Sequence, residues 1–398
     1  MNASYLVVLA VALGTTLAVT PLVRTLALRF GAVVMPSEDP RRVHKTPTPT
    51  LGGAAMFIGF LVAFAVASNM HAFHDVFQNN TEPFGVLLGA GVMFVVGALD
   101  DLIDVSPPAK VAGQVLAANL LAFAGVTMFF FRMPFNLFHT DTVVLGSDWA
   151  PLVTVLWVVL FSNAINLIDG LDGLAAGIVA IAGLALFLFA DRLSHANALS
   201  EPNIGPLVAI VAVGVCLGFL PFNWNPSRII MGDAGALFLG VLLAVPTITI
   251  GGRTDRAFSG NTFFFFGPLL IPVVILGVPL ADTVFSFVRR VAHRQRWHQA
   301  DAGHLHHRLM RLGHGPRRTV VILWAWTALL SGVALLPTYT NEGNALVPFV
   351  AGAMALLLFA WFHPGVRVRR ERSERARHPT AHPDDDVVNL DERRRQRA

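Results

Sequence analysis

Eleven apolar runs dominate the chain, near residues 5–27, 52–69, 84–99, 111–131, 150–167, 173–190, 206–222, 234–251, 264–288, 319–337 and 346–362. A helix needs about 20 apolar residues to cross the hydrocarbon of a bilayer, and these runs meet or approach that length. Lipid offers no partner to a free backbone amide or carbonyl, so such a run satisfies its own hydrogen bonds as a helix. The pattern predicts an all-α, polytopic integral membrane protein with about eleven transmembrane helices. Charged residues make up only 14% of the chain, against about 25% in ordinary soluble domains. With a mean hydropathy of +0.61, little room is left for a soluble helical bundle.

Charge sets the expected orientation. The first apolar run has no basic residue ahead of it, and Arg24 and Arg29 follow it. A cleaved signal peptide has the reverse order, so the run reads as a retained helix with the N-terminus outside. On that assignment 25 of the 29 Lys and Arg residues fall on the cytoplasmic side and 4 on the other. Positive residues stay inside, which puts the C-terminus in the cytoplasm after eleven spans. The polar clusters at 36–53, 100–110, 163–173, 223–235 and 293–308 then all lie on the cytoplasmic face of the plasma membrane, and the outer loops hold only scattered polar residues. Five clusters on one face point to a single cytoplasmic site. The chain divides into a transmembrane catalytic domain, 1–362, and a tail, 363–398, whose mixed charge without apolar periodicity reads as disorder. The single cysteine, Cys216, lies inside an apolar run, so neither an internal disulfide nor a CxxC metal site is expected.

The clusters carry chemistry. "GALDDLIDVSPPAK" places Asp100 and Asp101 at the end of a span, with Asp104 one turn on. Adjacent carboxylates repel unless a cation sits between them, and Mg²⁺ is a hard ion that takes one or two carboxylates together with phosphates. In "NAINLIDGLDGLAAG", Asn163, Asn166, Asp169 and Asp172 recur every three residues, which keeps them near one helical face for as long as the helix lasts. "RIIMGDAGALFLG" sets Asp233 between glycines at a helix start. Asp is a good N-cap, so Asp233 is expected to cap that helix, to bind metal, or both. "HRQRWHQADAGHLHHRLMRLGHG" supplies His304, His306, His307 and Arg308, a set better suited to phosphates than to zinc because arginine forks grip phosphate oxygens. "RRVHKTPTPTLGG" adds His44 and Lys45 as phosphate contacts on an ordered turn. Together these loops offer oxygen ligands for a divalent cation and cationic groups for phosphates at the mouth of a membrane-embedded body. That combination fits transfer of a phosphoryl-bearing group from a soluble nucleotide donor to a lipid acceptor. Nothing in it calls for nucleic acid.

The motifs "HKTPTPTLGG", "DDLIDVSP", "NAINLIDGLDGLAAG", "GDAGALFLG" and "ADAGHLHHRL", in this order, resemble the polyprenyl-phosphate N-acetylhexosamine-1-phosphate transferases, glycosyltransferase family 4. The resemblance implies an eleven-helix enzyme using Mg²⁺, or Mn²⁺ in its place. Such an enzyme moves a sugar-1-phosphate from a UDP-HexNAc, such as UDP-GlcNAc, to undecaprenyl or decaprenyl phosphate and releases UMP. It would start a cell-envelope glycopolymer: a lipopolysaccharide O-antigen, a teichoic acid or an arabinogalactan linker. The same resemblance implies Asp100, Asp101, Asp169 and Asp172 as catalytic, Asn166 and Asp233 as metal or diphosphate ligands, and His304, His306 and His307 as donor contacts; Arg308, Asn163, His44 and Lys45, read from the loops themselves, complete the expected substrate contacts. Asp100 is implied as the acceptor's base, with a covalent phospho-enzyme as the other mechanism. A homodimer is left open. Two other readings remain: a transferase acting on UDP-MurNAc-pentapeptide, and a transporter. Transporters set their sites near the bilayer midplane, whereas these clusters lie at one face.

Overall fold

The computed structural model describes residues 2–35, 47–132, 142–253, 277, 309–310, 314–340 and 347–362. Within them the chain runs through α1 (Ala3–Phe30), α2 (Gly52–Ser68), a short α3 (His74–Gln78), α4 (Glu82–Ile103), α5 (Pro107–Phe123), α6 (Trp149–Ile168), α7 (Leu174–His195), α8 (Gly205–Asn223), α9 (Gly232–Pro246), α10 (Pro316–Thr340) and α11 (Val347–Phe362). Two small antiparallel pairs complete it, Val33–Val34 with Thr48–Pro49 and Phe130–Arg132 with Thr142–Val144. Seven of the described helices, α1, α4, α6, α7, α8, α9 with its continuation, and α10, are long and apolar enough to cross a membrane. The body is therefore that of a polytopic membrane protein. Ten of the eleven apolar runs coincide with helices; the run at 264–288 lies outside the described residues apart from Gly277. The run at 111–131 is a shorter helix than its hydropathy suggests. Helix α5 stops at Phe123, Gly125 turns the chain at φ 98°, and a strand follows at Phe130. Helix α2 ends at Ser68, and α3 leaves at 93° to it.

Helix α9 is the axis of the body. It packs against α2, α4, α6, α7 and α8, and every residue from Ala234 through the π-helical turn Thr247–Gly251 is buried. A helix apolar on all sides belongs in such an interior. Two of its neighbours approach it where a side chain has no room. A Cβ at Gly53 of α2 would stand 2.2 Å from the Gly235 nitrogen, and one at Gly97 of α4 would stand 2.3 Å from the Asp233 carbonyl oxygen. At the far end the buried Glu82 carboxylate, at the start of α4, pairs with the Arg253 guanidinium just beyond α9. Arg253 also donates to the carbonyl oxygens of Thr127, at 3.2 Å, and Gly125.

Gly53→Ala should therefore force α2 and α9 apart. It should cost about 1–3 kcal/mol, as overpacking does. Thermal unfolding of purified protein in detergent should show a lower midpoint for this variant and little change for Gly146→Ala, whose Cβ meets nothing within 4 Å.

Candidate active site

The site forms where the C-terminal ends of α4 and α6 meet the N-terminal ends of α5 and α9. Its scaffold is set by Asp101. The carboxylate reaches from the last turn of α4 to the first amides of α9, accepting from Asp233 N at 2.9 Å and from Ala234 N at 3.0 Å. The first amides of a helix have no partner within it, and a carboxylate there also meets the positive end of the helix dipole. The sequence-based expectation that Asp233 caps this helix is thus corrected. The cap position is Met231, without a side-chain hydrogen bond, and Asp101 supplies the capping oxygens from another helix. This frees the Asp233 side chain to face the site. Gly232, at φ 73°, makes the turn that allows it, and a Cβ there would stand 2.3 Å from Asp101 Oδ2.

Around that anchor the other groups converge. Asp100 accepts from Val105 N at 2.9 Å through Oδ1 and from Lys110 Nζ at 2.8 Å through Oδ2. Lys110, in the first turns of α5, also touches Asp233 Oδ2. Asn166 on α6 donates to that same oxygen at 3.4 Å. One turn deeper, Asn163 donates to the buried Gln114 Oε1 at 2.7 Å and to Val159 O at 2.7 Å, and Gln114 donates back at 3.4 Å. Asp104, at φ 56°, turns out of α4 into solvent.

The three-residue pattern of the second motif breaks where α6 ends. Asn163 and Asn166 share the helix face, and Asp169 is the residue after its last turn. Asp169 is half-buried, and its carboxyl is pushed up to about 8, by burial first and then by the charges of Asp233, Asp101 and Asp172. Asp172 lies past the helix and is 7% exposed. It accepts from Asn225 Nδ2 at 2.8 Å and Ser227 N at 3.1 Å, which fastens the segment before α9. Asn223 joins the same junction, accepting from Gly173 N at 2.9 Å and donating to Ile229 O at 3.1 Å. The Thr–Pro–Gly segment closes on it too, with Ile230 N donating to Pro49 O at 2.8 Å and Gly53 N to Met231 O at 2.9 Å. His44, Lys45, His304, His306, His307 and Arg308 lie outside the described residues.

Two polar residues were passed over in the sequence, Lys110 and Gln114. Their signal was available: a lysine closing "DDLIDVSPPAK" and a glutamine four residues on, which puts both on one face of a helix begun by Pro107.

The donor set is one of hard oxygens, and a single ammonium already meets both Asp100 and Asp233. A divalent cation therefore suits it. Among the described residues no three carboxylate, imidazole or thiolate groups form a ready-made metal cage. The groups here that could hold a cation are Asp100, Asp233 and Asn166, and one or two carboxylates with water and substrate phosphates are enough for a hard divalent ion.

Residues 83–251 match the family model described as glycosyl transferase family 4. Over 340 residues the chain is 35% identical to the "Decaprenyl-phosphate N-acetylglucosaminephosphotransferase" of Mycolicibacterium smegmatis, covering 84% of this chain and 83% of that protein. It is 37% identical over 314 residues, 79% of each chain, to a Bacillus subtilis protein named "Probable undecaprenyl-phosphate N-acetylglucosaminyl 1-phosphate transferase". It is 29% identical over 319 residues to the "Phospho-N-acetylmuramoyl-pentapeptide-transferase" of Staphylococcus aureus, covering 77% of this chain and 89% of that protein.

Two variants separate anchor from chemistry. Asp101→Ala strands two amides of α9 and should lower thermal stability by about 1–3 kcal/mol, whereas Asp100→Asn should melt close to wild type, and both should lose activity. A third variant tests the burial of Asp169. A carboxyl whose folded-state pKa is raised holds its proton more tightly in the native state, so its burial opposes folding increasingly as pH rises from about 4 to about 8. In EDTA, Asp169→Asn should therefore raise the melting midpoint over wild type, by more at pH 8 than at pH 6.

Proposed function

We propose that this chain, which belongs to glycosyl transferase family 4, transfers N-acetylglucosamine-1-phosphate from UDP-GlcNAc to a polyprenyl phosphate, giving a lipid diphosphate sugar and UMP. The observation that carries the reading is the meeting of Asp100, Asp233, Asn166 and Lys110 around one point at a single end of an apolar helical body. The names of the relatives at 35% and 37% identity supply the acceptor and the sugar. The lower identity, 29%, to a muramoyl-pentapeptide transferase supports the smaller donor. In this reading the protein crosses the plasma membrane eleven times, N-terminus outside, with the site on the cytoplasmic side. The bias of 25 basic residues to 4 supports that orientation.

The exchange replaces one phosphoanhydride with another, so catalysis is chiefly positioning and charge neutralisation. Asp233 and Asn166 would hold Mg²⁺, with Asp100 beside them. When bound, the ion neutralises phosphate oxygens and aligns the two substrates. Asp100, whose Oδ1 accepts from Val105 N, would take the proton of the acceptor phosphate through its other oxygen. A modest base suffices, because the second phosphate pKa is about 6. Asp101, with both oxygens engaged by backbone amides, holds α9 in register so that Asp233 faces the reacting groups. Asp172 fixes the segment before α9. The residues at 304–308 and 44–45 are proposed as donor phosphate and sugar contacts.

Purified protein given a polyprenyl phosphate, Mg²⁺ and either UDP-GlcNAc or UDP-MurNAc-pentapeptide should form lipid-linked product only from the first. EDTA should abolish turnover and Mg²⁺ restore it. Efficient use of UDP-MurNAc-pentapeptide alone would overturn the donor assignment, and full activity in EDTA would overturn the metal.

A further inference from the structure

The least expected feature of the site is a lysine at its centre. Lys110 Nζ lies 2.8 Å from Asp100 Oδ2 and also touches Asp233 Oδ2. The second oxygen is the one Asn166 approaches. The ammonium thus stands where the two motifs assigned to cation binding converge. Its side chain is 16% exposed, as is that of Asp100, so the contact is shielded from bulk water. Asp101 lies beside the pair, its oxygens accepting from the Asp233 and Ala234 amides. Without a cation at this point, the carboxylates of Asp100 and Asp233 would face each other unneutralised, an arrangement that costs free energy when half-buried.

We propose that Lys110 is an internal counter-ion that occupies the divalent-cation position in the empty enzyme and must leave it for the metal to load. This rests on the reading of Asp233 and Asn166 as metal ligands. A flexible four-carbon stem carries the ammonium, and the stem is rooted on α5 rather than on the helices that bear the carboxylates. The group can therefore swing while Asp100, Asp233 and Asn166 stay in place. Its natural destination is the anionic diphosphate of the donor, which arrives at the same mouth. Metal and donor then favour one another: each removes Lys110 from a position the other needs cleared, or gives it a place to go. Two ligands that bias one two-position element are coupled in this reciprocal way. The lysine weakens Mg²⁺ binding to the free enzyme and makes full loading depend on the nucleotide sugar.

The test uses full-length protein in detergent, wild type and Lys110→Met, with Lys110→Gln as a second neutral variant. Melting midpoints are recorded in EDTA and across a Mg²⁺ titration, with and without saturating UDP-GlcNAc. Both variants should melt lower than wild type in EDTA. Their Mg²⁺ titration midpoints without donor should lie at least about tenfold below that of wild type, within the usual range of site-to-site coupling. Adding UDP-GlcNAc should lower the wild-type midpoint by a larger factor than it lowers either variant's. Variants that fold in Mg²⁺ but not in EDTA would also support the proposal. Equal or higher Mg²⁺ midpoints in the variants would overturn the role of Lys110 while leaving the metal site standing. No Mg²⁺ response from any of the three proteins would overturn both. Failure of both variants to fold in Mg²⁺ as well would overturn the proposal by making Lys110 a structural residue.

Discussion

The structure depends on one carboxylate holding the end of one helix. Helix α9 is apolar on every side and lies at the centre of the bundle, so packing alone does little to fix its rotation or its height. Asp101 fixes both, because its two oxygens accept from two successive amides at the first turn. The glycines at 53, 97 and 232 let the neighbouring backbones come close enough for this to happen. The Glu82–Arg253 pair holds the opposite end. Only with α9 so placed does Asp233 face Asp100 and Asn166.

From that placement comes an electrostatic problem that the site turns to use. Several carboxylates are gathered at the edge of a low-dielectric body, where charge is costly. Lys110 offsets part of that cost, and burial keeps a proton on Asp169 well above the usual carboxylate range. What remains suits cations and, through them, phosphates. The chemistry proposed for the chain uses the same excess of negative charge that makes the empty site unfavourable.

Much of this was legible in the sequence because hydropathy has a long period and strong contrast. Ten apolar runs became helices, and the acids fell at helix ends as their cost in lipid requires. What sequence spacing could not supply was the partner across space. Asp233 next to glycine at a helix start reads as a cap, yet the capping oxygens come from Asp101, 132 positions away. Asp172 seemed to continue the face of Asn163 and Asn166, but the helix ends at Ile168, and Asp172 turns to hold Asn225 and Ser227 instead. In the sequence Lys110 is one more positive charge, since a single lysine at a helix start shows nothing of the two carboxylates it meets. Helix length and polarity are local properties; capping across helices and charge pairing are properties of the assembled bundle.

The most direct measurement follows the phosphorus. Purified protein would be given a polyprenyl phosphate, Mg²⁺ and UDP-GlcNAc radiolabelled in its β-phosphate, and the label traced after extraction into organic solvent. Transfer of the sugar together with its phosphate predicts label in the lipid fraction and unlabelled UMP in the aqueous one. Label left in UDP, with sugar alone on the lipid, would contradict the account.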